Sequence, residues 1–389
     1  MSIEPWISVP EGRTANLANW RQQPHNRWAF ANVRQLLATE GIDRRVDGPS
    51  TLGQAQHDLA TLACDVPGGL LTLSEVLEKS SADAFLVLKN NAVVMEHYVG
   101  EMRPDSRHVM FSVSKSVLGL LFGILRARGM VNPTRPVVEY LPELGRSAYA
   151  DATVQHVLDM TVAVEFEENY ELQDGDVARY RRATGWDPPR PGDTETTRGM
   201  LSRLPRKEGE HGFAFHYVSP GTDVAGWVVE RVTGMSYAAA LSEFLWKPMG
   251  AEYSADMAVD AHGAARAAGG ICATLRDIGR VGTLMTSRPV VDLAPAAFLH
   301  DTYLGGDPHT WKRSTSANYI PGGRYRNKWY VKPGPEKICL AIGIHGQWIY
   351  ANHDRNIVIV KQSSQPTPSD DATDQMVMAS FESISRALD

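Results

Sequence analysis

No stretch of the sequence approaches the roughly 20 consecutive apolar residues of a membrane-spanning helix, so a helical membrane protein is not expected. The start, Met1-Ser2-Ile3-Glu4-Pro5, has neither a basic n-region nor an apolar h-region, and no secretory signal is read there. Cysteine is scarce. Cys64, Cys272 and Cys339 are far apart and odd in number, which argues against a disulfide framework and fits a reducing cytoplasm. They read as small buried side chains. The 12 histidines show no CxxC, HExxH or similar spacing, so neither a metal nor another cofactor is expected. Charge of one sign is not in excess. A net charge of -6 gives no reason to expect nucleic acid or an anionic membrane as partner. Internal repeats and low-complexity tracts are absent as well.

What is present is ordinary globular composition, 43% hydrophobic and 22% charged, over 389 residues. That length suits one large domain or two closely packed ones. The apolar runs Ala84 to Lys89 and Ala92 to Tyr98 flank Asn90-Asn91 and predict a β-hairpin. Val113, Val117, Leu120, Leu121, Ile124 and Leu125 recur at helical spacing, predicting a helix from Val113 to Arg128 that stops at Gly129. Gly119 and Gly123 weaken its intrinsic propensity, so burial must hold it, and their small size admits a close neighbour. A second helix is predicted over Val224 to Val232, capped by Thr222 or Asp223 and ended by Gly234. The segment Glu165 to Asp193 is rich in charge, proline and aromatics, and reads as a long loop, either a lid or an ordered excursion. Strand signals return at Ile338 to Ile344, Trp348 to Ala351 and Ile357 to Lys361, with a helix over Asp370 to Leu388. Strands near both ends with helices between suggest a sheet built from both termini.

Ser112 and Lys115 stand three apart at the start of the first helix, on one face. A serine hydroxyl needs a group to take its proton before it attacks, and a lysine made neutral by burial can be that group. The helix start also offers free N–H groups to a developing oxyanion. This spacing alone is a weak signal, since Ser112 could be a plain N-cap. A cation in the first turn opposes the helix dipole, however, and calls for a reason. Tyr217 lies in a polar turn before the second helix, where a phenol could pass a proton to a leaving group.

Ser112-Val113-Ser114-Lys115 followed by Tyr217-Val218-Ser219 resembles the first two motifs of the serine β-lactamase and penicillin-binding superfamily. The closer resemblance is to the family VIII carboxylesterases and the 6-aminohexanoate-dimer hydrolases. It is carried by Pro24 to Phe30, Asp83 to Leu88, Ser112 to Ser116, Trp227 to Gly234 and Gly343 to Gln347, and spans Trp20 to Asp389. The resemblance implies an α+β, β-lactamase/transpeptidase-like fold, with an antiparallel sheet from both termini flanked by helices and a mainly helical domain. Residues 1–111 and 255–389 would form the α/β domain and 112–254 the helical one, with the active site at their interface. It also implies Ser112 as nucleophile, Lys115 and Tyr217 as the acid–base pair, and an oxyanion hole from the N–H groups of Ser112 and Ile344. Tyr170, Trp186 and His345 would contact substrate.

Two departures narrow the chemistry. The third motif of the superfamily, Lys-Thr-Gly or Lys-Ser-Gly, is missing from the segment Ala341 to Gln347, so an anionic lactam or peptide C-terminus loses its lysine partner. Ser219 stands where many members have Asn. Further on, Arg181 falls where oligomer-hydrolysing members need an acid to meet a substrate ammonium, although Asp174 or Asp176 could compensate. The expected activity is a cytoplasmic carboxylesterase for small esters of short acyl chains. A 6-aminohexanoate-oligomer amidase and a catalytically weak penicillin-recognising protein are the alternatives. The expected partner is a small-molecule ester; a homodimer is compatible with the resemblance.

Overall fold

The computed structural model describes residues 15–388, so the pentapeptide read for targeting lies outside the described residues. Asn90 and Asn91 both take left-handed backbone, φ 50° and 62°, the geometry that a tight hairpin turn requires and that Asn tolerates. The hairpin sits inside a sheet of eight strands. In chain order these are β1 (Gly53–Gln54), β2 (Ala82–Lys89), β3 (Ala92–Tyr98), β4 (Arg324–Arg326), β5 (Trp329–Val331), β6 (Ile338–Gly343), β7 (Gln347–Asn352) and β8 (Ile357–Ser363). Their order across the sheet is β4-β5-β6-β7-β8-β2-β3-β1. The central pairing joins the two ends of the chain, Val87 opposite Ile359. The sheet is antiparallel except at one edge, where the two residues of β1 add parallel to β3. A second, four-stranded sheet carries Thr39–Ile42, Ala255–Ala258, Ile271–Ala273 and His108–Val109.

The continuous apolar runs of β2 and β8 follow from cover on both faces. Leu86, Leu88, Val358 and Val360 join one core, against which the helix Leu275–Thr283 packs. A Cβ on Gly282 would lie 2.4 Å from Val358, so glycine lets helix and sheet meet there. Phe85, Val87, Ile357 and Ile359 join a second core under the C-terminal helix Asp371–Ala387. Phe381 of that helix packs its ring on Phe85, Trp348 and Tyr350.

Two helices carry the candidate chemistry. We label them α1 (Val113–Ala127) and α3 (Ser219–Thr233), with α2 (Asp176–Ala183) between them. Every residue of α1 from Val113 to Leu125 is buried, and Gly129 ends it at φ 72°. Gly119 abuts the Asn327 carbonyl and Gly123 abuts the Phe298 ring, as their size suggested.

Three expectations need correction. The second helix begins at Ser219, not Val224, because Pro220 and Gly221 fit the first turn, where N–H groups have no helical acceptor anyway. Thr222 and Asp223 are therefore buried inside it and cap nothing. The stretch Glu165 to Asp193 is not a plain loop, since α2 lies within it with Val177, Ala178, Tyr180 and Ala183 facing inward. All three cysteines are free and buried, in line with the sequence reading. Among the described residues no helix is long and apolar enough to cross a membrane.

Candidate active site

Phe111 enters the site with φ 43°, a left-handed conformation that is unfavourable for an aromatic residue by about 1–3 kcal/mol. Its ring is held among Trp20, Phe30, Trp186 and His345. The kink turns the chain sharply from the four-stranded sheet into α1 and sets Ser112 at the helix start. Ser112 makes no capping bond with its side chain, which leaves the hydroxyl for other partners.

That hydroxyl meets Lys115. Lys115 Nζ lies 2.8 Å from Ser112 Oγ and 2.6 Å from the Ala268 carbonyl oxygen, to which it donates. Lys115 is only 2% exposed. Burial pushes its pKa down to about 7, with Arg266 adding to the depression and the carboxylates of Glu168 and Asp223 opposing it. The neutral amine is thus a substantial population at neutral pH. Tyr217, half-buried, has its phenol in hydrogen-bond contact with Ser112, and its ring centroid lies 5.1 Å from Lys115 Nζ. Burial, Tyr330 and Glu168 hold the Tyr217 phenol well above its usual pKa, so it stays a proton donor. The structure therefore brings Ser112, Lys115 and Tyr217 together.

The end of β6 runs against this group. A Cβ on Gly343 would lie 2.7 Å from the Met110 carbonyl oxygen and 3.1 Å from the Ser112 nitrogen, so only glycine admits the approach. The next residue, Ile344, lines the cleft beside Ser112. The strand end that carries Gly343 and Ile344 thus lies close to the Ser112 amide at the helix start.

The cleft around Ser112 has a volume of about 1500 Å³. Its walls carry eight carboxylates, among them Glu165, Glu167, Asp371 and Asp374, against only Arg206 and Lys207. Tyr170 lies at the boundary between this cleft and a second cavity of about 510 Å³. Its hydroxyl donates to Glu168 Oε1 at 2.6 Å.

Trp186 and His345 do not line the main cleft; both line the second cavity. His345 is 3% exposed, and its Nδ1 is 2.8 Å from the Gln365 carbonyl oxygen. Burial takes its pKa down to about 4, so the ring is a neutral packing element of the turn after Ile344. Arg181 also faces the second cavity and is paired with Asp187 at 2.8 Å.

Several polar residues here escaped the sequence reading. Glu168 accepts the Ser219 amide at 2.9 Å and the Ser219 hydroxyl, so Ser219 serves to anchor this carboxylate. Asp223 accepts the Ala268 amide at 2.8 Å and the Tyr180 hydroxyl, and so fixes the very peptide whose carbonyl holds Lys115. Lys328, 1% exposed and with no side-chain acceptor among the described residues, is pushed far down by burial and by Lys115. The contacts of Glu168 with Ser219, and of Asp223 with Ala268 and Tyr180, have no local sequence signal, since each joins residues more than 40 positions apart.

Comparison with known proteins agrees with this architecture. The Beta-lactamase family model matches residues 73–382. A 6-aminohexanoate-dimer hydrolase of Paenarthrobacter ureafaciens is 36% identical over 376 residues, covering 96% of this chain and 94% of its own. A solved Bacillus anthracis structure, assigned as a 6-aminohexanoate-dimer hydrolase, superposes with a TM-score of 0.85 at 24% identity, over 98% of this chain and 99% of the other. A family VIII carboxylesterase superposes with a TM-score of 0.55 at 15% identity, over 80% of this chain and 96% of the other.

Proposed function

The chain belongs to the beta-lactamase family of serine hydrolases, and on that premise we propose that it is a carboxylesterase for small esters, acting through a Ser112 acyl-enzyme. The observation that carries this reading is the 2.8 Å contact between Ser112 Oγ and a Lys115 amine brought near neutrality by burial. The neutral amine keeps one N–H on the Ala268 carbonyl and turns its lone pair to Ser112. Ser112 Oγ attacks the ester carbonyl carbon while its proton passes to Lys115. The carbonyl oxygen, now anionic, lies against the amides of Ser112 and Ile344. When the carbon–oxygen bond breaks, Tyr217 gives its proton to the leaving alkoxide and recovers one from Lys115. Water then cleaves the acyl-enzyme by the same transfers reversed. The same reading puts the site at the junction of region 112–254 with regions 1–111 and 255–389.

Esters are favoured because an alkoxide or phenoxide leaves more easily than an amine anion, and because Ser219, engaged by Glu168, presents no amide group to a substrate amide. A second reading has equal support from one observation, the 36% identity to a 6-aminohexanoate-dimer hydrolase. It makes the protein an amidase using the same three residues. The test is a paired assay of wild type and Ser112→Ala on phenyl acetate and on the 6-aminohexanoate dimer. Ester turnover lost in the variant is expected; retained turnover removes Ser112 as nucleophile, and release of free amine from the dimer at a comparable rate favours the amidase.

A further inference from the structure

The second cavity adjoins the main cleft through Glu168, Tyr170, Ile344 and Pro368, which line both. Its charge is the reverse of the cleft's. Five guanidinium groups line it against two carboxylates, Glu168 and Asp187. Arg182 and Arg190 are spoken for by Asp193 and Asp174. The other three converge. Arg21 and Arg181 share the single carboxylate of Asp187, while Arg266 pairs with Asp223 at 3.3 Å and lies over the Tyr180 ring at 3.6 Å and 5.1 Å from the Trp186 ring centroid. Arg21 is lowered below the usual guanidinium range by burial, with Arg181 and Arg266 adding to it.

Two buried donors on this wall have no acceptor among the described residues. They are Arg266 Nε, on a residue 8% exposed, and Trp186 Nε1, on a residue 4% exposed. Native proteins rarely leave such donors without a partner. Two guanidinium groups on one carboxylate leave a positive charge beside this wall, which suits a substrate carboxylate.

Tyr217, the donor to the leaving group in the reading above, lines the main cleft and not this cavity. Ile344 lines both. A bound ester held at Ser112 therefore sends its leaving group into the acidic cleft and its acyl chain past Tyr170 into the second cavity. We propose that this cavity is an acyl subsite for an anionic group, and that the substrates are esters or amides whose acyl chain ends in a carboxylate, with a neutral or cationic leaving group. The assignment of the acyl side rests on the Ser112 reading; the anion site rests on Arg21, Arg181, Arg266 and Trp186.

Calorimetric titration of full-length Ser112→Ala with monomethyl adipate and with dimethyl adipate separates the two. The free carboxylate should improve affinity by about tenfold or more, as a partly desolvated ion pair does. That margin should shrink when Arg181→Gln is added, and again with Arg266→Gln. Arg181 is half-buried on α2, and Arg21 still pairs with Asp187 without it, so this variant keeps the carboxylate compensated even if the Arg266 variant folds poorly. Equal affinity for the two esters, or a margin indifferent to Arg181→Gln, overturns the anion site. Wild-type protein that binds the half-ester tightly but never cleaves it overturns the hydrolase reading and leaves the anion site standing.

Discussion

The rings of Phe111 and His345 lie 5.4 Å apart, and both residues hold left-handed backbone, φ 43° and 59°. One precedes Ser112 and the other follows Ile344, so the two strained positions bracket the pair of amides proposed to bind the oxyanion. Each would relax if free, at a gain of about 1–3 kcal/mol. Their mutual packing, with Phe30 5.1 Å from His345, holds both. The strain is thereby spent on aiming two N–H groups.

His345 should make the fold acid-sensitive. Its pKa falls from 6.5 to about 4 on burial, so between those values the unfolded chain binds a proton that the folded chain refuses. Stability is then lost as pH drops from 6.5 towards 4, by up to about 3 kcal/mol. His345→Asn keeps a residue that tolerates the backbone and removes the titration. Urea midpoints of the variant should vary less across this range than those of wild type.

In the proposed mechanism Lys115 sets the pH dependence of turnover. Protonation removes the base, so kcat/KM should rise to a plateau above about pH 7 and fall about tenfold per unit below it. The linkage runs the same way for stability: with 10.5 in the unfolded chain and about 7 folded, this group's contribution improves as pH rises between those values. A pH–rate profile that is flat from 5 to 9 would falsify Lys115 as the base.

Glu168 tunes that limb from a distance. Its charge is the largest opposing influence on Lys115, favouring the ammonium. Glu168→Gln keeps an acceptor for the Ser219 amide and removes the charge. The acid limb of kcat/KM should move to lower pH; a limb that stays in place or moves up contradicts this electrostatic link.

Tyr217→Phe separates the two proton transfers. Alkyl esters, whose alkoxide needs a proton to leave, should lose about 10²- to 10⁴-fold in kcat. Nitrophenyl esters should lose much less, because their leaving group departs as the anion. Equal losses on both substrate types would assign Tyr217 to the attack on Ser112 instead.

Gly119→Ala should unfold the protein at lower temperature without touching any reacting group. The new Cβ would stand 2.1 Å from the Asn327 carbonyl oxygen. Asn327 and Lys328 are both left-handed, φ 51° and 69°, so the segment has little room to yield. A penalty of about 3 kcal/mol is expected, read as a drop in Tm.

How much of this was legible in the sequence depends on how far each residue reaches. Ser112, Lys115 and the start of α1 are encoded within one turn of helix, and the Asn90-Asn91 hairpin within two residues. Tyr217 was legible as a phenol before a helix, although the helix start itself was not. Thr222 and Asp223 have the chemistry of caps, but Asp223 spends it on Ala268 and Tyr180, contacts no local pattern announces. Helix α2 reads as loop in the sequence because its few apolar residues are interleaved with Arg179, Arg181 and Arg182. Arg181 reads in the sequence as a cation at a substrate-facing position. Its pairing with Asp187 was invisible, because nothing in the chain says which of several acids turns inward. Glu168 went unnoticed for the same reason, as one of four glutamates between Glu165 and Glu171.

The pairing of β2 with β8 carries a consequence for how the molecule comes into being. Sheets that join distant parts of a chain form late and slowly, since the intervening loop must close before any contact rewards it. On the ribosome, α1 emerges long before Ile344 and β8 exist. A nascent or C-terminally truncated chain thus holds Ser112 and Lys115 without the strand that completes their pocket. Activity should appear only with the last step of assembly.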